Sequence, residues 1–255
     1  MPGFQIGPVS FHYYGLILSI AFLVTFLTAK FQAVKEKIPQ KTVEEAILIL
    51  IIPAILGARF YHVLDYWDYY SKNLTKIFSV WQGGIGIIGA ILAGVATLYI
   101  FSKVRKLNFF KLADIAAPAV VLGQSIGRIG NFVNSEGFGP PTNLPWGIYV
   151  TLTKRPEIFA SFEKFHPTFF YEAVGDFLIF LILVFLSPKK TGGRFGLYLI
   201  LYSILRFGLE FLRIDTWQIG IIKVAQIGAI AGIVAGLVII LSKIKFKWTS
   251  KFFTL

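Results

Sequence analysis

The feature that most constrains this chain is the alternation of seven long apolar segments with short polar connections. The segments run roughly over residues 11–30, 45–64, 84–102, 112–130, 168–187, 195–213 and 219–242. Each reaches or approaches the roughly 20 residues an α-helix needs to cross a hydrocarbon core of about 30 Å. Lipid offers no water to satisfy backbone amides, so such segments are expected to be helical. The predicted fold class is all-α, a polytopic integral membrane protein with about seven transmembrane helices, read as one integral domain over 1–255. Composition agrees, with 56% hydrophobic and 15% charged residues, where soluble domains carry about 25% charge. The first segment has no basic leader and no small-residue cleavage site before Lys30, so it reads as a span and not as a removable signal.

Basic residues orient the spans. Lys30, Lys35, Lys37 and Lys41 flank the first connection, and Lys103, Arg105, Lys106 and Lys111 the third. Lys189, Lys190 and Arg194 mark the fifth, and Lys243, Lys245, Lys247 and Lys251 the tail. Cations on every second connection follow the positive-inside pattern. They predict an N-terminus outside and a C-terminus in the cytoplasm. The net charge of +12 is thereby accounted for by topology, and no nucleic-acid partner is expected. Among the outer connections, 65–82 is aromatic and polar, as in a short interfacial helix. Residues 131–167, with Pro140, Pro141 and Pro145, are expected to form a small extracytoplasmic cap.

Four arginines remain that topology does not explain: Arg59, Arg128, Arg206 and Arg213. Each falls within or at the outer end of a span, where an ionised side chain is costly and usually faces an interior cavity. Their planar donor fork suits phosphate, so together they suggest a shared anion site. The plainer readings are ion pairing, as between Arg206 and Glu210 at i, i+4, and snorkelling of Arg213.

Three polar knots accompany them. The densest runs Gly127-Arg128-Ile129-Gly130-Asn131-Phe132-Val133-Asn134-Ser135-Glu136-Gly137-Phe138-Gly139. Asn131, Asn134 and Glu136 either satisfy backbone groups where the helix ends or bind a lipid head group. The second is His166-Pro167-Thr168-Phe169-Phe170-Tyr171-Glu172. There Thr168 is expected to cap the fifth span, which leaves Glu172 unexplained. The third is Trp81-Gln82-Gly83-Gly84-Ile85-Gly86, opening the third span.

In this order the knots resemble the prolipoprotein diacylglyceryl transferase family. The 127–139 stretch matches that family's Gly-Arg-x-Gly-Asn-Phe-x-Asn-x-Glu signature. Tyr13-Tyr14-Gly15, Gly57-Ala58-Arg59, the Trp81 and His166 knots, and Arg206 through Glu210 to Arg213 add supporting matches. The resemblance implies a membrane enzyme whose site opens to the outer leaflet. It would move the diacylglyceryl group of phosphatidylglycerol onto the lipobox cysteine of a preprolipoprotein signal peptide. The products would be a thioether and glycerol 1-phosphate. Its partners would be phosphatidylglycerol, the signal peptide and membrane lipids. It implies no cofactor and no metal. The chain has no cysteine, which suits a reaction whose nucleophile belongs to the substrate.

By the same resemblance, Arg128 and Arg206 stabilise the departing phosphate and Asn131 holds the head group. Tyr14, Glu136 and Gly139 match further functional positions. Glu210 is expected to orient Arg206, and Glu172 to support the His166 knot. Asn134, Arg59 and Arg213 complete the expected binding set. One departure stands out: where some members carry a histidine proposed as base, this chain has Ile88. Either no histidine base is required or another group serves; His62, at i+3 from Arg59, is a candidate substitute, and its plainer reading is an interfacial histidine. An anion transporter and a non-catalytic assembly factor are the competing readings. The absence of a visible internal repeat disfavours the first, and membrane-depth charge disfavours the second.

Overall fold

The computed structural model describes residues 3–242 except Pro8, Ser187, Lys189, Asp215 and Ile221. The tail lysines Lys243, Lys245, Lys247 and Lys251, and Lys189, therefore lie outside the described residues. A hairpin of β1 (Gly3–Ile6) and β2 (Val9–His12) leads into α1 (Tyr13–Lys35). Then come α2 (Gln40–Asp65), the single turn α3 (Trp67–Tyr70) and two 3-10 turns, Leu74–Phe78 and Val80–Gln82. α4 (Ile87–Val104) and α5 (Phe109–Asn134) follow. The strands β3 (Ile148–Tyr149) and β4 (Lys164–Phe165) precede α6 (Thr168–Phe185) and α7 (Gly193–Leu209). α7 continues into a 3-10 turn over Glu210–Leu212. A last hairpin, β5 (Gln218–Ile219) and β6 (Ile222–Lys223), opens α8 (Val224–Ser242).

Seven of these helices are long and apolar enough to cross a membrane. The all-α multi-pass architecture follows. The ends differ from the apolar segments for local reasons. α1 runs on through Lys30 to Lys35, where basic groups complement the negative end of the helix dipole. α5 starts early because Asn108 Oδ1 accepts a hydrogen bond from the Phe110 amide (2.9 Å), an N-terminal capping contact. α8 starts late because 218–223 form the hairpin.

The chain forms two compact units, one of residues 1–28 and 116–255 and the other of 29–115. In the larger unit α7 packs against α6 and α8. Ala117, Val121, Ile179 and Leu183 form a buried apolar layer, with Phe195, Tyr198, Tyr202 and Leu205 against it. In the smaller unit α2 packs on α4. A Cβ at Gly57 would fall 2.6 Å from the Gly89 carbonyl oxygen, so only glycine permits that crossing. Large apolar side chains such as Leu23, Ile52 and Val238 are exposed, while Asp114, Glu172, Asp176 and Glu210 are buried. That inversion suits lipid, where helices associate through close packing and polar contacts and not by hiding apolar surface from water.

After the end of α5, residues 135–167 form a small folded segment between α5 and α6. Its core is Phe138, Val150 and Phe165, with β3 and β4 paired antiparallel across it. Arg155 pins its loop by donating to the carbonyls of Val150 (2.7 Å) and Ala160 (3.0 Å). The 65–82 connection holds α3 and the two 3-10 turns in place of one longer helix.

Candidate functional site

The polar knot after Arg128 does not break its helix. α5 continues through Asn131 to Asn134 and ends in a Schellman turn. The Ser135 amide donates to Phe132 O (3.1 Å) and the Glu136 amide to Asn131 O (2.9 Å), with Ser135 in the left-handed region at φ 52°. The backbone thus satisfies its own final carbonyls. The Asn131 and Asn134 side chains are not consumed by this task, and Oδ1 of the buried Asn134 has no hydrogen-bond partner among the described residues. Glu136, just past the turn, is exposed.

Arg128, six residues before the end of α5, meets α6. Its Nη2 lies 2.6 Å from Glu172 Oε1, a charge-assisted hydrogen bond. The other oxygen of Glu172 lies 4.0 Å from Arg213 Nη1. Glu172 is therefore a bridge between two guanidiniums, and not the support of the His166 knot that the sequence suggested. Arg206 pairs with Glu210 Oε2 at 2.8 Å, at the expected i, i+4 spacing. Nη1 of Arg206 is buried and has no hydrogen-bond partner among the described residues. Tyr202, one turn earlier on α7, lies within electrostatic range of Arg128, Arg206, Glu172 and Asp176. Lys223 closes the far side, donating to the carbonyls of Glu210 (2.5 Å) and Arg213 (3.3 Å).

Other expected residues gather at the same end of the larger unit. A Cβ at Gly130 would fall 2.9 Å from the Tyr14 ring, so that ring lies against α5 two residues from Arg128. Gly139 is held by His166 O, which accepts its amide at 2.8 Å, and a Cβ there would fall 2.5 Å from Leu212 O. His166 Nδ1 lies 3.3 Å from the Tyr171 hydroxyl, which accepts a hydrogen bond from Trp146 Nε1 at 2.8 Å. An indole N–H only donates, so the phenol proton is left for His166 Nδ1. Thr168 does not cap α6. Its hydroxyl donates instead to Gly137 O (2.5 Å), tying α6 to the loop after Arg128.

Arg59 and His62 belong to the smaller unit. Arg59 is buried, and its donors are turned to carbonyls: Nε to Ile77 (2.8 Å), Nη1 to Gly83 (2.7 Å) and Gly84 (2.8 Å), and Nη2 to Lys76 (2.5 Å). Its guanidinium also sits 5.1 Å over the Tyr70 ring. His62 packs beside it against Tyr66, with tilted rings and centroids 4.6 Å apart. The site the sequence treated as four arginines is thus three in one unit, with the fourth bound to backbone in the other.

Three neighbours escaped the sequence reading: Asp176, Tyr202 and Lys223. Asp176 was detectable, because an acid inside an apolar span four residues after Glu172 is as anomalous as the arginines. Lys223 stood out less, and Tyr202 carried no signal of its own.

The cluster presents cationic donors, one of them unpartnered, held by buried carboxylates. Such an arrangement can trade part of its internal pairing for an anion. No group of three or more metal-binding side chains occurs among the described residues. Residues 3–242 match the family model described as prolipoprotein diacylglyceryl transferase. Relatives named phosphatidylglycerol–prolipoprotein diacylglyceryl transferase are similar over most of their length. One from Trichormus variabilis is 41% identical over 91% of this chain and 86% of its own. Another, from Finegoldia magna, is 42% identical over 96% and 94%.

Proposed function

Because the chain belongs to the prolipoprotein diacylglyceryl transferase family, we infer that it transfers the diacylglyceryl group of phosphatidylglycerol to a prolipoprotein, the first step of lipoprotein maturation. The finer reading is that the acceptor is the lipobox cysteine thiol, and that the sn-1,2-diacylglyceryl group forms a thioether as glycerol 1-phosphate leaves. The protein sits in the cytoplasmic membrane with this site toward the outer leaflet.

The observation that carries the reading is the Arg128–Glu172–Arg213 bridge across the buried Glu172, beside Arg206, whose Nη1 has no hydrogen-bond partner among the described residues. Displacement at the glycerol carbon leaves the phosphate with more negative charge than it had when bound. Guanidiniums already fixed around it favour the transition state over the ground state. Arg128 and Arg206 take that role, and Asn131 and Asn134, free of backbone duty, bind the head group. Glu172 and Glu210 hold the guanidiniums in place, and Arg213 adds charge through Glu172. Tyr14, Glu136, Gly139 and His166 border the same end and shape the site. Arg59 serves by fixing the Trp81–Gly84 loop and does not contact phosphate.

Reconstitution with phosphatidylglycerol and a lipobox peptide tests this. Mass spectrometry is expected to show a diacylglyceryl adduct on the peptide cysteine. An unmodified peptide after prolonged incubation with correctly inserted protein would refute the activity.

A further inference from the structure

The transferase reading leaves one step without a residue. A thiol with an ordinary pKa of about 8.5 attacks only after losing its proton. Ile88 cannot accept it, and His62 belongs to the smaller unit, packed against Tyr66 beside Arg59 and not among the carboxylates of the Arg128 cluster. Within the cluster, Glu172 and Glu210 are each engaged by an arginine. Asp176 is not. It is 0% exposed, and neither carboxylate oxygen has a hydrogen-bond partner among the described residues. The groups facing it are Arg128 from α5, Glu172 from α6, and Tyr198 and Tyr202 from α7. A buried carboxylate left without a donor costs stability, and native proteins rarely keep one without a use. No packing role explains it, because an apolar residue would complete the layer formed one turn further on by Ile179.

Its depth matches the geometry of the reaction. α6 runs away from the cap, so Asp176 lies one turn beyond Glu172, about 6 Å further along the axis. On the transferase reading, the phosphate held by Arg128 and Arg206 is the leaving group and is taken to lie on the cap side of the glycerol carbon. In an in-line displacement the sulfur approaches the glycerol carbon from the opposite side, deeper along α6. The acceptor for its proton belongs at that depth.

We propose that Asp176 is a catalytic residue that takes the proton of the attacking cysteine thiol. The proposal rests on the transferase reading. The S–H bond breaks toward the Asp176 carboxylate as the S–C bond forms. The C–O bond breaks with its electron pair passing to the phosphate oxygen. The departing phosphate monoester then takes the proton and restores the carboxylate. Because Asp176 is fully buried, it meets the thiol only once both substrates are seated.

The test compares the wild-type protein with Asp176→Asn on two lipobox peptides, one with cysteine and one with selenocysteine, whose selenol is already ionised at neutral pH. With the cysteine peptide Asp176→Asn is expected to lose on the order of 10²-fold or more in rate at pH 7. The deficit should shrink about tenfold per pH unit as the thiol ionises by itself, up to its pKa of about 8.5. With the selenocysteine peptide the variant should approach the wild-type rate. Equal losses on both peptides at every pH, or no loss on either, would overturn the proposal. Asp176→Glu, which keeps the acceptor, is expected to regain activity toward cysteine. If Asp176→Asn does not insert, an Asp176→Glu rate with a wild-type preference for selenocysteine supports the proposal, and an inactive but inserted Asp176→Glu on both peptides contradicts it. Failure of the wild-type protein to modify either peptide would instead sink the transferase reading.

Discussion

Two arginine sites in this protein solve the same problem in opposite ways. Arg59 meets four backbone carbonyls, and its charge is spent on holding the 76–84 loop. Arg128 and Arg206 meet carboxylates and keep donors in reserve, Arg206 Nη1 among them. A guanidinium saturated by backbone is a structural lock, because an incoming anion would have to unmake a loop to reach it. One balanced by a carboxylate side chain exchanges that partner more easily, because a phosphate offers the same forked geometry. Sequence alone ranks all four arginines as candidates for one site. Their partners separate them.

The largest effect that would sharpen this contrast is expected from Arg128→Ala and Arg206→Ala. Each should lower adduct formation by at least 10²–10³-fold, as loss of a transition-state donor does elsewhere, while the protein still inserts. Near-normal turnover by either inserted variant would break the contrast at its functional end. Next is a pair of conservative changes. Arg206→Lys should lose much activity with little change in melting temperature, because one ammonium does not reproduce the fork. Arg59→Lys should do the reverse. It strands several buried carbonyls at about 1–3 kcal/mol each, lowering the melting temperature while the surviving protein keeps its rate. Matching behaviour in both assays would erase the distinction. A smaller effect is expected from His62→Ala, which should leave the shape of the pH–rate profile unchanged. The smallest is expected from Thr168→Val. Losing its bond to Gly137 O should cost roughly 1 kcal/mol in thermal or denaturant unfolding.

The legible part of the molecule follows from strong physics acting locally. Seven apolar runs of spanning length leave helices as the available structure in lipid, and all seven were found. The i, i+4 pairing of Arg206 with Glu210 is a property of one helix and was readable from spacing. What could not be read depended on contacts distant in sequence. Glu172 bridges Arg128 and Arg213 across three segments, and nothing within the His166 knot points to either. Thr168 opens α6 with a residue type suited to capping, yet its hydroxyl finds Gly137 O from another loop. Asn131 and Asn134 resemble helix breakers, yet α5 continues through Asn134, and Ser135 in the left-handed region, four residues past Asn131, ends it with a Schellman turn.

The most direct measurement is phosphatidylglycerol retention by the detergent-purified protein, counted by native mass spectrometry for the wild type, the double variant Arg128→Ala with Arg206→Ala, and Arg59→Lys. Bound lipid that disappears only in the double variant is the predicted result. Lipid retained by the double variant, or lost equally with the Arg59 change, would contradict a phosphate site built from the carboxylate-held pair.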